Sequence, residues 1–173
     1  MSNLSDFLGG SGGFTTTETI TTSQEWPIPD GVKKVRAIIV AAGGGSGTAG
    51  SSSTYARFGS KGGDSSVNGV VATGGEGTAP AYSSFPTGQT IQLTNNTLLN
   101  PNGGPGVTYA ASAVYLSTKG GDGEIKTVIL DVSAMNAIDI VVGLGGNGGP
   151  VPANVTNTIS GTNGGDGLVI LEY

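Results

Sequence analysis

The stretch from Val35 to Gly50 reads VRAIIVAAGGGSGTAG and shows how this chain is built. A β-branched run, typical of a strand, passes through two alanines and ends in glycine. The same change recurs at 138–149, where IDIVV runs into GLGGNGG, and in reverse at 164–171, where GGDG leads into LVIL. The pattern predicts short apolar strands joined by glycine-rich connections.

Composition separates this chain from an ordinary globular protein and from a disordered one. Of 173 residues 33 are glycine, against about 7% in ordinary proteins, and only 11% are charged. Such a bias is typical of disorder, but hydrophobic residues still reach 36% and the glycines lie between apolar runs. Because no helical pattern of ordinary length occurs, we predict an all-β, compact, β-sandwich-like domain of short strands with long glycine-rich loops.

The chain divides into a flexible N-terminal segment, residues 1–13, and a glycine-rich β domain, residues 14–173. Leu4, Phe7 and Leu8 are the apolar residues of the first segment, and glycines at 9–13 separate them from the domain. We expect these three side chains to anchor the chain to a virion or other larger assembly, the alternative being a frayed end. The opening residues lack the basic and apolar regions of a secretory signal.

Within the domain, apolar and β-branched runs predict strands, and glycine and polar runs predict loops. Gly43–Lys61 reads as a long loop without apolar periodicity, and Trp26 is expected in the core or in a subunit contact. The strands are expected at Val32–Val40, at Val67–Ala72 with an interruption at Asn68-Gly69, at Ile125–Val132, at Ile138–Val142 and at Leu168–Tyr173.

A Gly-Gly-Asp unit occurs three times, ending at Asp64, Asp122 and Asp166, each a few residues before an apolar strand. Glycine permits positive φ or close backbone approach, and Asp commonly accepts hydrogen bonds from the amides of its own turn. Three carboxylates with glycine carbonyls would also suit calcium. We favour the turn interpretation and predict no metal site and no cofactor.

Several chemical functions lack their residues here. Without histidine or cysteine there is no Ser-His-Asp or thiol chemistry, and no disulfide. The match to G-x-G-x-x-G at 45–50 is followed by neither a helix nor a βαβ continuation, so it does not predict a dinucleotide site. Because the net charge is −5 and no apolar run is long enough for a membrane helix, we expect neither nucleic-acid binding nor membrane insertion. We predict a non-enzymatic protein; the alternative, a small hydrolase, would need two acids in a cleft.

Aromatic side chains in the loops are the candidates for a binding surface. Tyr, Ser, Gly and Asn together make adaptable binding surfaces, because aromatic rings give a large contact area at low entropic cost. The alternative is that some of these rings cover the core or a subunit interface. The candidate receptor or partner contacts are Tyr55, Arg57, Phe58, Tyr82 and Phe85.

With these residues in view, the chain resembles the glycine-rich domains of bacteriophage tail-fibre and related appendage proteins. The resemblance runs from Trp26 to Tyr173 and rests on five motifs in order. They are WPIPDGV (26–32), the strand into GGGSG (35–47), GGDSSVNG with ATGG (62–75), IVVGLGGNGG (140–149) and NGGDGLVILEY (163–173). The glycine-rich region of anaplastic lymphoma kinase receptors has a similar pattern, but those ectodomains contain cysteines.

The phage resemblance implies a β framework with partly polyglycine II-like segments, usually in a trimeric appendage. It also implies a virion location and contact with other virion structural proteins. Variable loops would bind a host receptor, a bacterial surface glycan or an outer-membrane protein. The expected function is therefore a tail-fibre or adhesin component. The alternative is a capsid or tail decoration protein acting in assembly and stability, which the short chain and short glycine runs favour.

Overall fold

A computed structural model of the chain describes residues 14–50, 57–78, 80–81, 103, 116–117, 119–151 and 158–173. Across these residues the protein contains strands, turns and extended segments, and no helix. The N-terminal segment with Leu4, Phe7 and Leu8 lies outside the described residues. The strands are β1 Thr17–Ile20, β2 Gln24–Pro27, β3 Lys34–Val40, β4 Ala49–Gly50, β5 Ser65–Val67, β6 Val70–Ala72, β7 Pro80–Ala81, β8 Leu116–Ser117, β9 Ile125–Asp131, β10 Ala137–Val141, β11 Thr158–Ile159 and β12 Leu168–Glu172.

Two antiparallel four-stranded sheets pack face to face and form a sandwich. Sheet 1 has the strand order β1-β12-β3-β9, and sheet 2 has the order β2-β10-β5-β6. Two further two-stranded pairs, β4 with β11 and β7 with β8, lie outside the sandwich. This arrangement confirms the predicted all-β, sandwich-like fold.

The core of the sandwich follows from period-two alternation in the long strands. In β3 the side chains of Val35, Ala37 and Ile39 are fully buried, while Lys34 is exposed. The other sheet supplies the facing half of the same hydrophobic cluster, with Ile138 among its members. β-Branched residues fit this pleated, half-buried environment, so the predicted strands at 32–40, 125–132, 138–142 and 168–173 are confirmed to within two residues at each end.

Trp26 belongs to this core, as one of its two predicted positions. It is 4% exposed, and its ring lies 5.2 Å from that of Tyr173 in a tilted arrangement. Its indole N–H donates a hydrogen bond of 2.9 Å to a carboxylate oxygen of Glu18. A buried indole needs such a partner, so β1 and β2 are joined across the two sheets at this point.

The prediction of one interrupted strand at Val67–Ala72 is wrong, because the interruption is a two-residue hairpin turn between β5 and β6. Asn68 and Gly69 have φ of 46° and 81°. Positive φ at both central residues matches the type I′ turn, for which Asn-Gly is the preferred sequence.

The sandwich has two different ends. At one end β3, β6 and β10 run into glycine-rich segments, and β5, β9 and β12 emerge from others. At the opposite end, here called the base, the amides of Thr15 and Thr16 donate to the carbonyl of Tyr173. The described chain therefore starts at the base, and all six glycine-rich segments adjoin the other end.

Replacing Trp26 with Phe tests the link between the sheets. The ring keeps most of its packing, but the hydrogen bond to Glu18 is lost, and we expect the free energy of unfolding to fall by about 1–3 kcal/mol. Urea denaturation measures the change. Glu18→Gln keeps an acceptor oxygen and is the milder control. A Trp26→Phe variant as stable as the parent would contradict the role of this bond.

Candidate functional site: the glycine bundle and its far end

Six glycine-rich segments continue from the sandwich and lie side by side as a bundle. We number them in chain order and call them together the glycine bundle. They are segment 1 (41–48), segment 2 (57–63), segment 3 (73–78), segment 4 (119–124), segment 5 (142–149) and segment 6 (160–167).

Segment 1 lies at the centre of the bundle and bonds to all five other segments through its backbone. Its amides donate to segments 2, 4 and 6, and its carbonyls accept from segments 3 and 5. The donor bonds are Ala42→Gly63, Gly45→Ser60 and Thr48→Arg57; Ala41→Glu124 and Gly44→Gly121; and Gly43→Gly165 and Ser46→Thr162, all at 2.9–3.1 Å. The accepted bonds are Gly75→Ala42, Thr78→Gly45, Gly146→Gly43 and Gly149→Ser46, at 2.8–3.1 Å.

Each pair of segments is bonded at every third residue. The clearest case joins segment 6 to segment 5, where the amides of Gly161, Gly164 and Gly167 donate to the carbonyls of Gly149, Gly146 and Gly143. A period of three is that of the polyproline II backbone, which makes no hydrogen bonds within itself and leaves its polar groups free for neighbours. The predicted loop at Gly43–Lys61 therefore has a regular backbone that apolar periodicity could not reveal.

Glycine is required wherever one segment faces another. A Cβ placed on Gly44 would collide with the backbone carbonyl of Glu76, and one placed on Gly164 would collide with that of Gly43. The obstacles are main-chain atoms, which cannot rotate away as a side chain can. At these positions glycine is needed for close approach rather than for positive φ; among the described glycines only Gly31 and Gly69 have positive φ.

Side chains occur where the bundle faces outward. In segment 5 the buried positions are Gly143, Gly146 and Gly149, and the exposed positions between them are Leu144 and Asn147. Leu144 is 74% exposed. A three-residue turn thus gives each outer segment a glycine face toward its neighbours and a row of side chains away from them.

The Gly-Gly-Asp units fasten neighbouring segments together, and the prediction that each Asp bonds its own turn is wrong. The carboxylate of Asp64 accepts from the amide of Gly74 at 2.8 Å, and that of Asp166 accepts from Gly145 at 2.7 Å. Asp122 likewise accepts from Gly103 at 2.9 Å. The extended backbone leaves outward amides without a neighbouring carbonyl, and a carboxylate from the adjacent segment supplies the acceptor.

A buried hydroxyl performs the same task where the bundle joins the sandwich. Ser65 is fully buried, and its Oγ accepts from the amide of Gly143 at 3.0 Å. On the surface, Ser60 Oγ accepts from the amide of Asn147 at 2.7 Å. These residues were not singled out in the sequence, where serine in a glycine-rich run looks like ordinary loop composition.

The far end of the bundle, opposite the sandwich, is where the predicted contact residues belong in the chain. Segments 1 and 2 are joined there by 49–56, segments 3 and 4 by 79–118, and segments 5 and 6 by 150–159. The pairs β4–β11 and β7–β8 hold the described ends of these connections. Each connection is thus held where it leaves the bundle.

Two of the five predicted contact residues are described. Phe58 is 70% exposed, and Arg57 is exposed. The backbone of Arg57 is fixed against segment 1, since its amide donates to Thr48 Oγ1 at 2.8 Å and its carbonyl accepts from the amide of Thr48 at 3.0 Å. Tyr55, Tyr82 and Phe85 lie outside the described residues, in the connections at the far end.

The described residues offer an exposed surface rather than a reaction centre. Nowhere in this part of the chain do three acidic side chains meet in a way that could hold a metal ion. The helix search across the same residues likewise found none with the length and apolarity needed to span a bilayer.

Comparison with protein-family models, with curated proteins and with solved structures found no match for this chain.

Substituting alanine at Gly146 tests the packing of the bundle. Its methyl group would collide with the carbonyl of Ser60, and we expect a loss at or above the range of about 1–3 kcal/mol that is typical of overpacking. Gly69→Ala is the matched control, because it meets no atom within 4 Å and carries only the cost of positive φ, about 1–2 kcal/mol. Thermal unfolding of both variants gives the comparison. Equal losses would contradict the close-packed bundle.

Acid should loosen segment 3. The pKa of Asp64 lies below its usual value, chiefly because of the hydrogen bond from the Gly74 amide, and the Thr73 amide likewise lowers the pKa of Glu124. A lowered folded-state pKa gives stability that is present at neutral pH and is lost as the pH falls below about 4.

The loss is measured as the unfolding midpoint in urea at a series of acidic pH values. Asp64→Asn keeps an acceptor oxygen that does not titrate, so its midpoint should fall less steeply over the same range. An identical acid dependence of parent and variant would contradict the assignment to Asp64.

Proposed function

We propose that this chain is a non-enzymatic structural protein of a bacteriophage virion, a tail-fibre or adhesin-type component that binds a host-surface receptor. The observation that carries the proposal is the polarity of the molecule. The described chain begins at the base with Phe14, directly after the proposed anchor, whereas the connections that contain Tyr55, Tyr82 and Phe85 leave the opposite end.

The glycine bundle supports this function because it is a rigid carrier for variable loops. Loops bind well when a rigid scaffold fixes their ends, since less conformational entropy is lost on binding. Here each connection starts and ends on a backbone that is bonded to its neighbours at every third residue. Between these fixed ends the sequence can vary without affecting the sandwich.

The chemistry at the far end suits a receptor on a bacterial surface. Arg57 supplies a cation and Phe58 an exposed ring on adjacent residues. Aromatic rings pack against sugar faces as well as protein side chains, and arginine forms paired hydrogen bonds with carboxylate and phosphate groups. The receptor class is thus a surface glycan or an outer-membrane protein. Other virion structural proteins would hold the base, and the resemblance implies a trimeric assembly.

Phage adsorption tests the receptor role. Virions carrying Tyr55→Ala, Tyr82→Ala and Phe85→Ala together should adsorb to host cells at least about tenfold more slowly, which corresponds to about 1.4 kcal/mol of lost binding free energy. Leu144→Ala is the matched control, because it removes a large exposed side chain from the side of the bundle. Electron microscopy of the same particles shows whether each variant is incorporated.

A different outcome would favour the decoration role. If the triple variant adsorbs normally and electron microscopy finds the chain in a lattice on the capsid or along the tail, receptor recognition is contradicted. Lower particle stability in that variant would then indicate that the far end contacts neighbouring virion subunits.

A further inference from the structure

The edge strand β9 has one side that no other strand occupies among the described residues. It pairs with β3 over its full length, from Lys34–Asp131 to Val40–Ile125, and with no second strand in that part of the chain. The register is unbroken over seven residues, so the strand has no bulge. It is therefore a long, regular sheet edge.

The bonds that flank the ladder show which residues face the free side. The amide of Ala41 donates to the carbonyl of Glu124, and the amide of Val132 donates to that of Lys33, both at 2.9 Å and both in register with β3–β9. In an antiparallel pair the bonded residues alternate, so the even-numbered residues of β9 bond to β3. The odd-numbered residues, Ile125, Thr127, Ile129 and Asp131, direct their backbone groups to the free edge.

The same odd-numbered residues carry the exposed side chains of β9. Ile125 is 45% exposed and Ile129 is 60% exposed, with Thr127 between them. They continue an apolar row on the outer face of sheet 1, because Ile125 lies opposite Val40, which lies opposite Leu168. Edge and face together thus present isoleucine beside unpaired backbone groups.

Features that normally protect a sheet edge are missing from β9. Natural edges are guarded by proline, by bulges or by charged side chains that point across the edge. The sequence of β9, IKTVILD, has no proline. Its lysine, Lys126, is directed to the other sheet, where Nζ donates to the carbonyl of Val71 at 2.6 Å.

We propose that two copies of this chain pair through β9, antiparallel, about a two-fold axis at Thr127. In this register Ile125 lies opposite Ile129 of the partner subunit, Ile129 lies opposite the partner subunit's Ile125, and the two Thr127 residues face each other. An isologous contact needs a self-complementary surface, and apolar β-branched and Thr–Thr pairs are favourable cross-strand neighbours.

Other two-fold registers fit the sequence less well. Moving the axis to Val128 would set Ile125 against Asp131 of the partner subunit, and moving it to Lys126 would set Ile129 against glycine. The axis at Thr127 is the one that places isoleucine against isoleucine on both sides. The result is a continuous eight-stranded sheet with the two glycine bundles pointing in opposite directions.

Single cysteines test this register directly, because the natural chain contains none. Opposed residues in a hydrogen-bonded antiparallel pair have Cα atoms about 5.5 Å apart, which is within disulfide range. Thr127→Cys should therefore form a dimer quantitatively under mild oxidation. Asp131→Cys, on the same face and edge, is the control and should stay reduced, because its own copy lies far along the strand.

Solution mass tests the pairing itself. Analytical ultracentrifugation of the full chain should give twice 16.9 kDa. Thr127→Pro removes only a free edge amide and should give the mass of one chain, and Thr127→Val should keep the dimer. Ile129→Lys is a second disrupting variant in case the proline substitution prevents folding; circular dichroism shows whether each variant is folded.

A mass of one chain at every concentration, a mass of three chains, or equal cross-linking at positions 127 and 131 would overturn the β9 pairing. The measurements use the isolated chain, so they do not depend on whether the protein recognises a host.

Discussion

The structure depends on hydrogen bonds between glycine segments that lie too close together for side chains. Segment 1 bonds to all five of its neighbours through its main chain, and a Cβ at Gly44 or Gly164 would collide with backbone. Glycine in regular structure costs about 0.5–1 kcal/mol per residue relative to alanine. Satisfying nearly every backbone group without water offsets that cost and makes an ordered body from a composition that resembles disorder.

The sandwich and the glycine bundle are two consequences of one chain path. Six strand ends meet at one end of the sandwich, and the strand spacing there sets the starting positions of the six segments. Carboxylates such as Asp64 and Asp166 then serve as acceptors where a segment has no neighbouring carbonyl. The bundle extends the sandwich without a hydrophobic core of its own and holds the connections away from the base.

The sequence supports the sandwich better than the bundle, for a physical reason. Alternating Val and Ile residues, as in Val35 to Ile39, reveal which face of a strand is buried, and Asn68-Gly69 has the residues of a tight hairpin turn. Polyproline II segments bury their backbone instead, so no apolar side chain marks their inner face. A glycine at every third position, as at 143, 146 and 149, was the available signal. The partner of Asp64 is ten residues away on another segment, and local turn chemistry could not identify it.

Hydrogen–deuterium exchange tests the central claim, that the glycine segments form a hydrogen-bonded bundle. Exchange measured residue by residue by NMR at neutral pH should be slow at the amides of Gly43, Gly44 and Gly45, within about tenfold of that at Ile39 in the centre of sheet 1. The amides of Gly146 and Gly164 should be protected as well. Exchange of these glycines at the rate of an unstructured peptide, with Ile39 still protected, would show a sandwich with loose glycine loops and would contradict the account.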